Sequence, residues 1–466
     1  MAAFASVLLL ALATLSAHAA TLVVTSLADT GAGSLREAIA TASANDEIVF
    51  APGLEGTITL ASSLAITRSV SIFGNAGIVI DGANAVRPIA ITDGTAQVTL
   101  DRLVIQHGLA DDGGAIFSVG TLVLNEVTLR DNHATSRGGA LFVSLGRFTI
   151  VDSTIADNEA VGEGGGIVDL STSPSFISRS QITGNMSNGP GGGIRHVSTQ
   201  PLTIVGSTIS GNQTALTTST IGGGIASQGG TLSISYSSIV ANQSWFGGGV
   251  IVQNLATSGT LELSNSLVAG NTATSDGGGV FVFGVLANIS NSTIANNVAA
   301  AGGGGGVSMQ NSSAGSAIAL LSNATVAQNR ATTNGGGIGV ISGALTLRNS
   351  LLAGNVATTN SDLNGAFTSQ GVNLVQTRGT STGYGGNDFA NGTNPLLGNL
   401  TFNGGPTNTI ALQPGSPAIN ALNAAGCTGI PIDQRGFARP NSGCDVGAYE
   451  VGGAPLPDAL FNSGFE

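Results

Sequence analysis

The chain has 466 residues, a net charge of −12, only 9% charged residues and 71 glycines, and all 14 basic residues are arginines. This composition excludes a collagen helix, because the glycines occur in clusters rather than at every third position. It also excludes charge-driven disorder, because 42% of the residues are hydrophobic, and it lacks the basic face that nucleic-acid binding requires. A chain rich in glycine and hydrophobic residues and poor in charge is typical of stacked β-structure.

Residues 1–19 predict a secretory signal peptide. An apolar run from Val7 to Leu15 precedes the small residues Ala17 and Ala19, which are typical of a cleavage site. The segment before this run contains no Arg or Lys, so only the terminal amine supplies positive charge there. The run is shorter than the ~20 apolar residues of a membrane span. We therefore expect cleavage after Ala19 and no membrane span in the mature chain.

Residues 20–56 predict an N-terminal cap. Ser34 and Glu37 have the spacing of a capping box, in which Ser34 is the N-cap of a helix. Leu35, Ala38 and Ile39 then give that helix one apolar face. Because the open end of a repeat stack is an exposed sheet edge, we expect this helix to cover the first coil.

The middle of the chain, residues 57–365, contains a repeat. An eleven-residue frame (apolar, x, Leu/Ile, x, x, small, x, aliphatic, x, x, Asn) occurs nine times, and its sixth position is Ser in seven of the nine copies. The frames are spaced 26 to 32 residues apart. Their closing residues are Asn132, Asn158, Asn185, Asn212, Asn242, Asn271, Asn297, Asn329 and Asn355.

A second signature lies between the frames. Nine runs of Gly, such as Gly164–Gly166, precede an aliphatic residue and contain 27 of the glycines. The frame has a period of two with one corner, which indicates two short strands, and a third strand is expected after each Gly run. Each repeat is then one coil of a parallel β-helix. We expect about 12 coils over roughly 60 Å, an interior ladder of the Asn side chains, and tight corners at the Gly runs.

One column of charges recurs in register with the repeat. Asp112, Arg137 and Glu163 each lie five residues after the closing position of their coil, and His107 takes that closing position in the first of them. Paired carboxylates beside an Arg are candidate catalytic groups of a carbohydrate-active enzyme. The alternative is a surface ladder of alternating charge, each exposed pair contributing about 0–1 kcal/mol. We favour the ladder of alternating charge. These three residues are the only candidates for catalysis, and they are weak ones.

Other polar and aromatic features have structural explanations. Asp81-Gly82 and Asp93-Gly94 could bind Ca²⁺, but no calcium-binding repeat is sustained, so we expect turns there and no cofactor. Trp245-Phe246 could stack on a sugar ring, although corner packing is the favoured interpretation. The inward Ser residues of the frame predict a hydroxyl stack rather than nucleophiles, because no His has a matching register.

The C-terminal region contains the two cysteines of the chain, Cys427 and Cys444. A pair of cysteines in an exported chain usually forms a disulfide, and two thiols without a nearby His do not make a zinc site. Residues 452–466 then read as a linker followed by a short apolar-acidic tail.

Three segments resemble known families. The repeats resemble polymorphic outer-membrane-protein repeats within pectin-lyase-like right-handed parallel β-helices. Thr21–Ala42 is similar to the CSLREA segment of exported bacterial β-helix proteins, with Gly33 in the place of its Cys. Residues 366–451 resemble the choice-of-anchor Q domain, and Leu460–Glu466 is similar to a GFE tail of gammaproteobacterial exported proteins. The choice-of-anchor resemblance rests on Asn394–Gly398, Asn403–Thr407, Pro414–Ile419, Asp433–Gly436, Arg439–Pro440 and Cys444–Glu450.

These resemblances imply an exported protein, placed outside the cell or on the outer-membrane surface of a Gram-negative bacterium. None of them implies a reaction. We expect an adhesin-like or structural binding protein, with surface glycans or envelope components as partners and sorting machinery acting on the tail. The alternative is a β-helix polysaccharide lyase or glycoside hydrolase. An enzyme should break the repeat with long insertions that build a cleft, and the regular spacing shows none.

Overall fold

The computed structural model describes residues 19–75, 77–218, 220–254, 259–429 and 431–455. Almost all of the predicted signal peptide, and the tail from residue 456 onward, lie outside the described residues. The described chain forms a parallel β-helix of about thirteen coils, one more than predicted, with strands stacked into four long sheets. No helix in these residues is long and apolar enough to cross a membrane.

The sheets are numbered in the order in which a coil visits them, and their strands pair in parallel throughout. The first sheet comprises Thr21–Val24, Asp46–Phe50, Val70–Phe73, Gln97–Asp101, Thr121–Asn125, Arg147–Val151, Ser175–Ser178, Leu202–Val205, Thr231–Ser235, Thr260–Ser264, Leu286–Ser290, Ile318–Ser322, Ala344–Arg348 and Thr368–Gln370. The second sheet comprises Gly56–Thr59, Ile78–Asp81, Val104–Gln106, Thr128–Arg130, Thr154–Ala156, Gln181–Thr183, Thr208–Ser210, Ser238–Val240, Leu267–Ala269, Thr293–Ala295, Thr325–Ala327, Leu351–Ala353 and Leu374–Val375.

The other two sheets complete the coil. The third sheet comprises Leu109–Asp112, His133–Arg137, Glu159–Ala160, Met186–Ser187, Gln213–Thr214, Gln243–Ser244, Thr272–Ala273, Val298–Ala299 and Arg330–Ala331. The fourth sheet comprises Leu64–Ile66, Ile89–Ile91, Ile116–Ser118, Leu141–Val143, Ile167–Asp169, Ile194–His196, Ile225–Gln228, Val250–Gln253, Val280–Phe283, Val307–Gln310, Ile338–Val340 and Leu363–Asn364. Outside the β-helix lie an antiparallel hairpin, Leu397–Thr401 with Thr409–Leu412, and two helices, α1 (Leu35–Thr41) and α2 (Ala424–Cys427).

The third sheet corrects the prediction of three strands per coil. Most of its strands have only two residues, too few for an alternating pattern to show in the sequence. Their inward residue is small and buried, as at Ala160, Ser187 and Thr214, because the coil is narrow where the chain turns after the Asn. The predicted limits of the solenoid were residues 57 and 365. Its sheets also include strands before and after these limits, so the solenoid extends from Thr21 to Val375.

The predicted ladder of Asn side chains is present in the interior. Asn212, for example, donates from Nδ2 to Asn242 Oδ1 at 3.0 Å and to the Ile182 carbonyl at 2.8 Å. The eight links from Asn132 to Asn355 are all 2.9–3.0 Å long. The ladder ends on a group that the frame did not reveal, the buried carboxylate of Asp362, which accepts from Asn355 Nδ2 at 2.8 Å. Burial raises the pKa of Asp362.

The Ser side chains form the predicted hydroxyl stack at the first corner. Ser180 Oγ donates to the Ser178 carbonyl at 2.7 Å and accepts from the Ser153 amide of the preceding coil at 3.1 Å. The same amide-to-hydroxyl contact joins the other Ser-bearing coils. These hydroxyls therefore satisfy the backbone groups that the sharp corner exposes.

The Gly runs build the corner before the fourth sheet. In each of the nine runs that precede its strands, the Gly three residues before the strand has a positive φ of 58° to 77°. The next Gly is confined by the neighbouring coil: a Cβ on Gly165 would lie 2.4 Å from the carbonyl oxygens of Met186 and Gly192. Close approach of two backbones, and not flexibility, is what these glycines provide.

Helix α1 packs against the first coils. Ser34 Oγ accepts from the Glu37 amide at 3.2 Å, and Glu37 Oε2 accepts from the Gly33 amide at 2.6 Å, one residue beyond a standard capping box. Leu35, Ala38 and Ile39 are buried against strands of the first and fourth sheets. A Cβ at Gly33 would lie 2.2 Å from Thr25 Oγ1, and Gly33 has a positive φ of 74°, so a side chain at this position would be strained. That the helix acts as a cap stays a prediction.

The C-terminal region folds back along the outer face of the second sheet. Ile410 packs on Ala295 and Ala327, which belong to strands of that sheet. Gln434 Oε1 accepts from Thr293 Oγ1 at 2.6 Å, and the Ala448 amide donates to Thr325 Oγ1 at 3.0 Å. As a result the outward residues of the last strands of this sheet are buried, whereas earlier ones such as Arg130 are exposed.

Candidate functional site

The predicted charge column lies where the chain passes from the third to the fourth sheet. We call this set the charged seam; its residues are Arg87, Asp112, Arg137, Glu163 and Arg195, on consecutive coils. Asp112 and Arg137 are register partners, and the Gly138 amide donates to the Glu163 carbonyl. The five-residue offset thus places Asp112, Arg137 and Glu163 in adjacent coils, as predicted.

Asp112 and Arg137 form a two-point ion pair. Arg137 Nε donates to Asp112 Oδ1 at 3.0 Å, and Nη2 donates to Oδ2 at 2.8 Å. The hydrogen bonds to Asp112 raise the pKa of Arg137. The guanidinium also lies 4.5 Å from the centre of the Phe142 ring, which stacks on Phe117 in the coil below. Both carboxylate oxygens of Asp112 are therefore occupied, in a pair that is partly open to solvent.

Glu163 pairs with Arg195 at the other end of the seam. Arg195 Nε donates to Glu163 Oε2 at 3.2 Å, and Arg195 Nη2 donates to Gln228 Oε1 at 2.6 Å. The Arg195 side chain is only 6% exposed, and this burial lowers its pKa. The sequence column missed Arg195, because it belongs to a fourth-sheet strand, one position after the Ile that follows the Gly run, and not to the connection.

Arg87 begins the seam, where the coil has no third-sheet strand. Its Nε donates to the Gly113 carbonyl at 3.0 Å and its Nη2 to the Asp112 carbonyl at 2.7 Å. Its guanidinium lies 5.2 Å from the centre of the Phe117 ring. Burial lowers the pKa of Arg87, against the attraction of Asp112 and Asp111. The seam is thus an alternating row of Arg and carboxylate resting on two stacked rings.

This arrangement is poorly suited to glycoside hydrolysis. Two catalytic carboxyl groups need a separation of about 5–9.5 Å with room for the sugar or a water between them. Asp112 and Glu163 are two coil rises apart, roughly 9.6 Å along the solenoid axis and thus at the upper end of that range. The guanidinium of Arg137 lies on the coil between them. Each carboxylate is also paired with a guanidinium, Asp112 with Arg137 and Glu163 with Arg195.

The two Asp-Gly positions considered for Ca²⁺ support the turns that follow them. Asp93 Oδ1 accepts from the amide and the hydroxyl of Thr95, both at 2.7 Å. Asp81 Oδ1 accepts from the Ala83 amide at 2.7 Å, and its Oδ2 lies 2.9 Å from His107 Nδ1. In the described ranges no three His, Cys, Asp or Glu side chains form a group that could hold a metal ion.

His107 departs from the Asn ladder although it occupies the equivalent position. Its ring turns outward to Asp81, and the first rung, Asn132 Oδ1, accepts instead from the Gly108 amide at 2.8 Å. The backbone of His107 has a φ of 51°, which the Asn residues of the ladder do not show. A partly exposed imidazole beside a carboxylate resembles an acid–base pair, and a second one lies nearby, with His133 Nδ1 3.6 Å from Glu159 Oε2.

A polar column inside the solenoid was not predicted. His196 Nδ1 lies 2.8 Å from Asp169 Oδ2, and both side chains are almost completely buried. Strand register places Ser227 beside His196 on the next coil, and His196 Nε2 and Ser227 Oγ have no hydrogen-bond partner in the described chain. Polar residues at an inward strand position were the signal available in the sequence. Their complete burial separates this Asp-His-Ser column from any substrate.

The aromatic residues Trp245 and Phe246 lie farther along the same side of the solenoid. Phe246 packs against Phe281, whose ring centre is 5.7 Å away, and Phe283 lies 5.9 Å beyond it. We call Phe246, Phe281 and Phe283 the aromatic face, and Trp245 precedes it in the chain. Phe281 is buried, while Trp245, Phe246 and Phe283 remain partly exposed. Phe246 therefore does pack at a corner, as favoured, yet part of its ring and of Trp245 is accessible.

The predicted disulfide between Cys427 and Cys444 is present and joins α2 to the last loop of the C-terminal region. Beside it, Arg439 Nη1 donates to Glu450 Oε2 at 3.0 Å, and Arg439 Nη2 donates to the Gly447 carbonyl at 2.6 Å. Burial raises the pKa of Glu450 to about 7. The polar residues that carry the choice-of-anchor resemblance thus form a buried network that holds this region together.

Comparison with known proteins agrees with this architecture. Residues 76–258 match the family described as "Right handed beta helix region". No curated protein matches the chain. Among solved structures, the chain is similar to that of pectate lyase Pel9A, with 13% sequence identity, a TM-score of 0.45, and coverage of 93% of this chain and 97% of that chain.

Proposed function

We propose that this protein is an exported β-solenoid with an adhesin-like or structural role, which binds surface glycans or envelope components without cleaving them. One observation carries the proposal: every carboxylate of the charged seam is held by a guanidinium, in a row that follows the coil repeat. Such a row stabilises and orders a surface, but it leaves no free acid or base for a reaction.

The regularity of the solenoid supports this proposal. The Asn and Ser ladders continue from coil to coil without an insertion large enough to build walls around a cleft. Solenoids of this kind commonly bind partners along their lateral faces. A flat array of side chains on consecutive coils suits an extended ligand.

Export is part of the proposal and rests on the sequence. Residues 1–19 have the features of a signal peptide, and a disulfide such as Cys427–Cys444 persists in oxidising compartments. The tail within residues 452–466 would present the protein to sorting machinery at the outer membrane. We place the protein outside the cell or on the surface of a Gram-negative bacterium.

A carbohydrate-active β-helix enzyme, either a polysaccharide lyase or a glycoside hydrolase, is the second candidate. The Asp81–His107 pair favours it, because a carboxylate that orients an imidazole is a common acid–base arrangement. In that case Asp112 and Glu163, one coil either side of Arg137, would be the remaining candidates for catalysis.

The test is incubation of the purified protein with a panel of neutral and acidic glycans, scored for binding and for unsaturated or reducing ends. We expect binding and no new ends. The variants Asp112→Asn and Glu163→Gln should then leave binding within twofold of the wild type. Asp152→Asn, which breaks a surface ion pair of the first corner, is the matched control. Cleavage lost in the seam variants but kept in Asp152→Asn would overturn the proposal.

A further inference from the structure

The aromatic face is a surface cluster separate from the interior core. Phe281 and its neighbours Ala226 and Ile251 point outward from the fourth sheet, and Phe246 packs across them from the preceding connection. Phe283 follows on the same strand as Phe281. These outward apolar residues lie on consecutive coils and are separate from the core of the solenoid, which lies inside.

The coils that carry this face are nearly free of charge. Between His196 and Arg330 the sequence contains no Arg, Lys or His and only two acidic residues, Glu262 and Asp276. Asp276 Oδ1 accepts a hydrogen bond from the Gly303 amide at 2.8 Å, and Asp276 Oδ2 accepts one from Ser275 Oγ at 2.8 Å. Glu262 lies on the first sheet and accepts from Asn288. The aromatic face therefore offers no unpaired charge to a ligand.

Amide side chains border the rings. Gln228 and Gln253 are register partners at the ends of their fourth-sheet strands, and Phe283 and Gln310 occupy the same position on the two following coils. Phe283 lies between Gln228 and Gln310 along this row. The side chains of all three residues are partly exposed. An amide both donates and accepts hydrogen bonds, as ligand hydroxyl groups do.

We infer that the aromatic face binds a neutral glycan chain, a specificity that rests on the proposed function. Sugar rings have apolar C–H faces that pack on aromatic rings and hydroxyl edges that pair with amides, and sites of this kind combine aromatic walls with a few polar groups. Absence of charge on these coils matches an uncharged polymer. The net charge of −12 disfavours an acidic one.

The experiment measures binding of the full-length protein to dextran, laminarin and hydroxyethyl cellulose as neutral probes, and to polygalacturonate and alginate as acidic probes. The double variant Phe246→Ala, Phe283→Ala removes the two partly exposed rings of the face and leaves the buried Phe281 in place. Phe402→Ala removes a ring that is 71% exposed in the C-terminal region and is the matched control. Thermal unfolding of each variant establishes that it is folded.

We expect at least one neutral probe to bind, with an affinity unchanged between 0.05 and 0.5 M NaCl, because no ion pairs form. The double variant should lose at least tenfold in affinity, and Phe402→Ala less than twofold. Equal binding by a folded double variant, or binding of acidic probes alone, overturns the inference while leaving the proposed function intact. If the wild-type protein binds no glycan at all, the proposed function itself fails.

Discussion

At the level of single residues, the buried Asp169–His196 pair stands out because it occupies an inward column in which the other polar residues are only serines, Ser118 and Ser227. Val143 precedes Asp169 in this column, and Val252 follows Ser227. A buried, hydrogen-bonded pair of this kind contributes little net stability, because desolvation of both partners offsets their attraction. Loss of one partner, in contrast, leaves the other buried and unpaired.

We therefore expect a strong asymmetry between single and double substitutions of this pair. His196→Val should lower the free energy of unfolding by about 3–5 kcal/mol, because Asp169 is left without its partner. The double variant Asp169→Val, His196→Val extends the Val column and should be within about 1 kcal/mol of the wild type. Thermal and urea unfolding measure both, and additive losses would contradict this account.

The glycine corners give a second test at this scale. Gly165→Ala places a Cβ 2.4 Å from two carbonyl oxygens of the next coil, so the coils must separate. We expect a loss of about 3 kcal/mol of stability. Gly386→Ala is the control, because a Cβ there meets nothing within 4 Å, and its effect should stay within about 0.5 kcal/mol. Equal unfolding midpoints for both variants would rule out the close-approach explanation.

Single residues also show what the sequence could predict. The Asn and Ser ladders follow from the frame, because a fixed position repeated in a solenoid stacks upon itself. Arg195 extends the charged seam, and Asp362 ends the Asn ladder. Both residues lie outside the repeating frame, so a search for periodic positions does not find them. Tyr236 adopts a positive φ at the first corner, a conformation that its residue type alone does not indicate.

At the level of elements, strand length decided which parts were predictable. The strands of the first sheet mostly span four or five residues and show alternation, whereas those of the third sheet mostly span two. The docking of the C-terminal region was not predictable, because it depends on long-range contacts such as that between Thr293 and Gln434. Its buried network contains Glu450, whose raised pKa makes the stability of this region depend on pH.

Glu450 gives that sensitivity a direction. Burial raises its pKa from 4.5 to about 7, so its contribution to stability is complete below pH 4.5 and is lost as the pH rises through 7. The loss is on the order of 3 kcal/mol between pH 4.5 and 8. Glu450→Gln should flatten this part of the pH profile of unfolding, although the unpaired Arg439 lowers its stability throughout. A variant with the same slope as the wild type would contradict this assignment.

At the level of the whole molecule, charge is distributed unevenly along the solenoid. The early coils carry the charged seam, the middle coils are almost uncharged, and the C-terminal region buries its ionic groups against the second sheet. Stacked coils would bring repeated like charges together, so alternation in the seam and scarcity elsewhere have the same physical cause.

The sorting role of the tail is testable on whole cells. Deletion of residues 452–466 should move the protein from the cell-associated fraction to the medium, because the proposed sorting segment is lost. Fractionation followed by immunoblotting measures the distribution, and deletion of residues 452–455 alone serves as the control. An unchanged distribution would remove the tail from the account.

The central claim is that the protein binds glycan and does not cut it. The most direct measurement loads a size-defined neutral glycan onto the immobilised protein for a day, elutes it and determines its chain length. We predict that the eluted chains have the length of those loaded. Shorter chains, produced by the wild type but not by the Asp112→Asn, Glu163→Gln double variant, would contradict the claim.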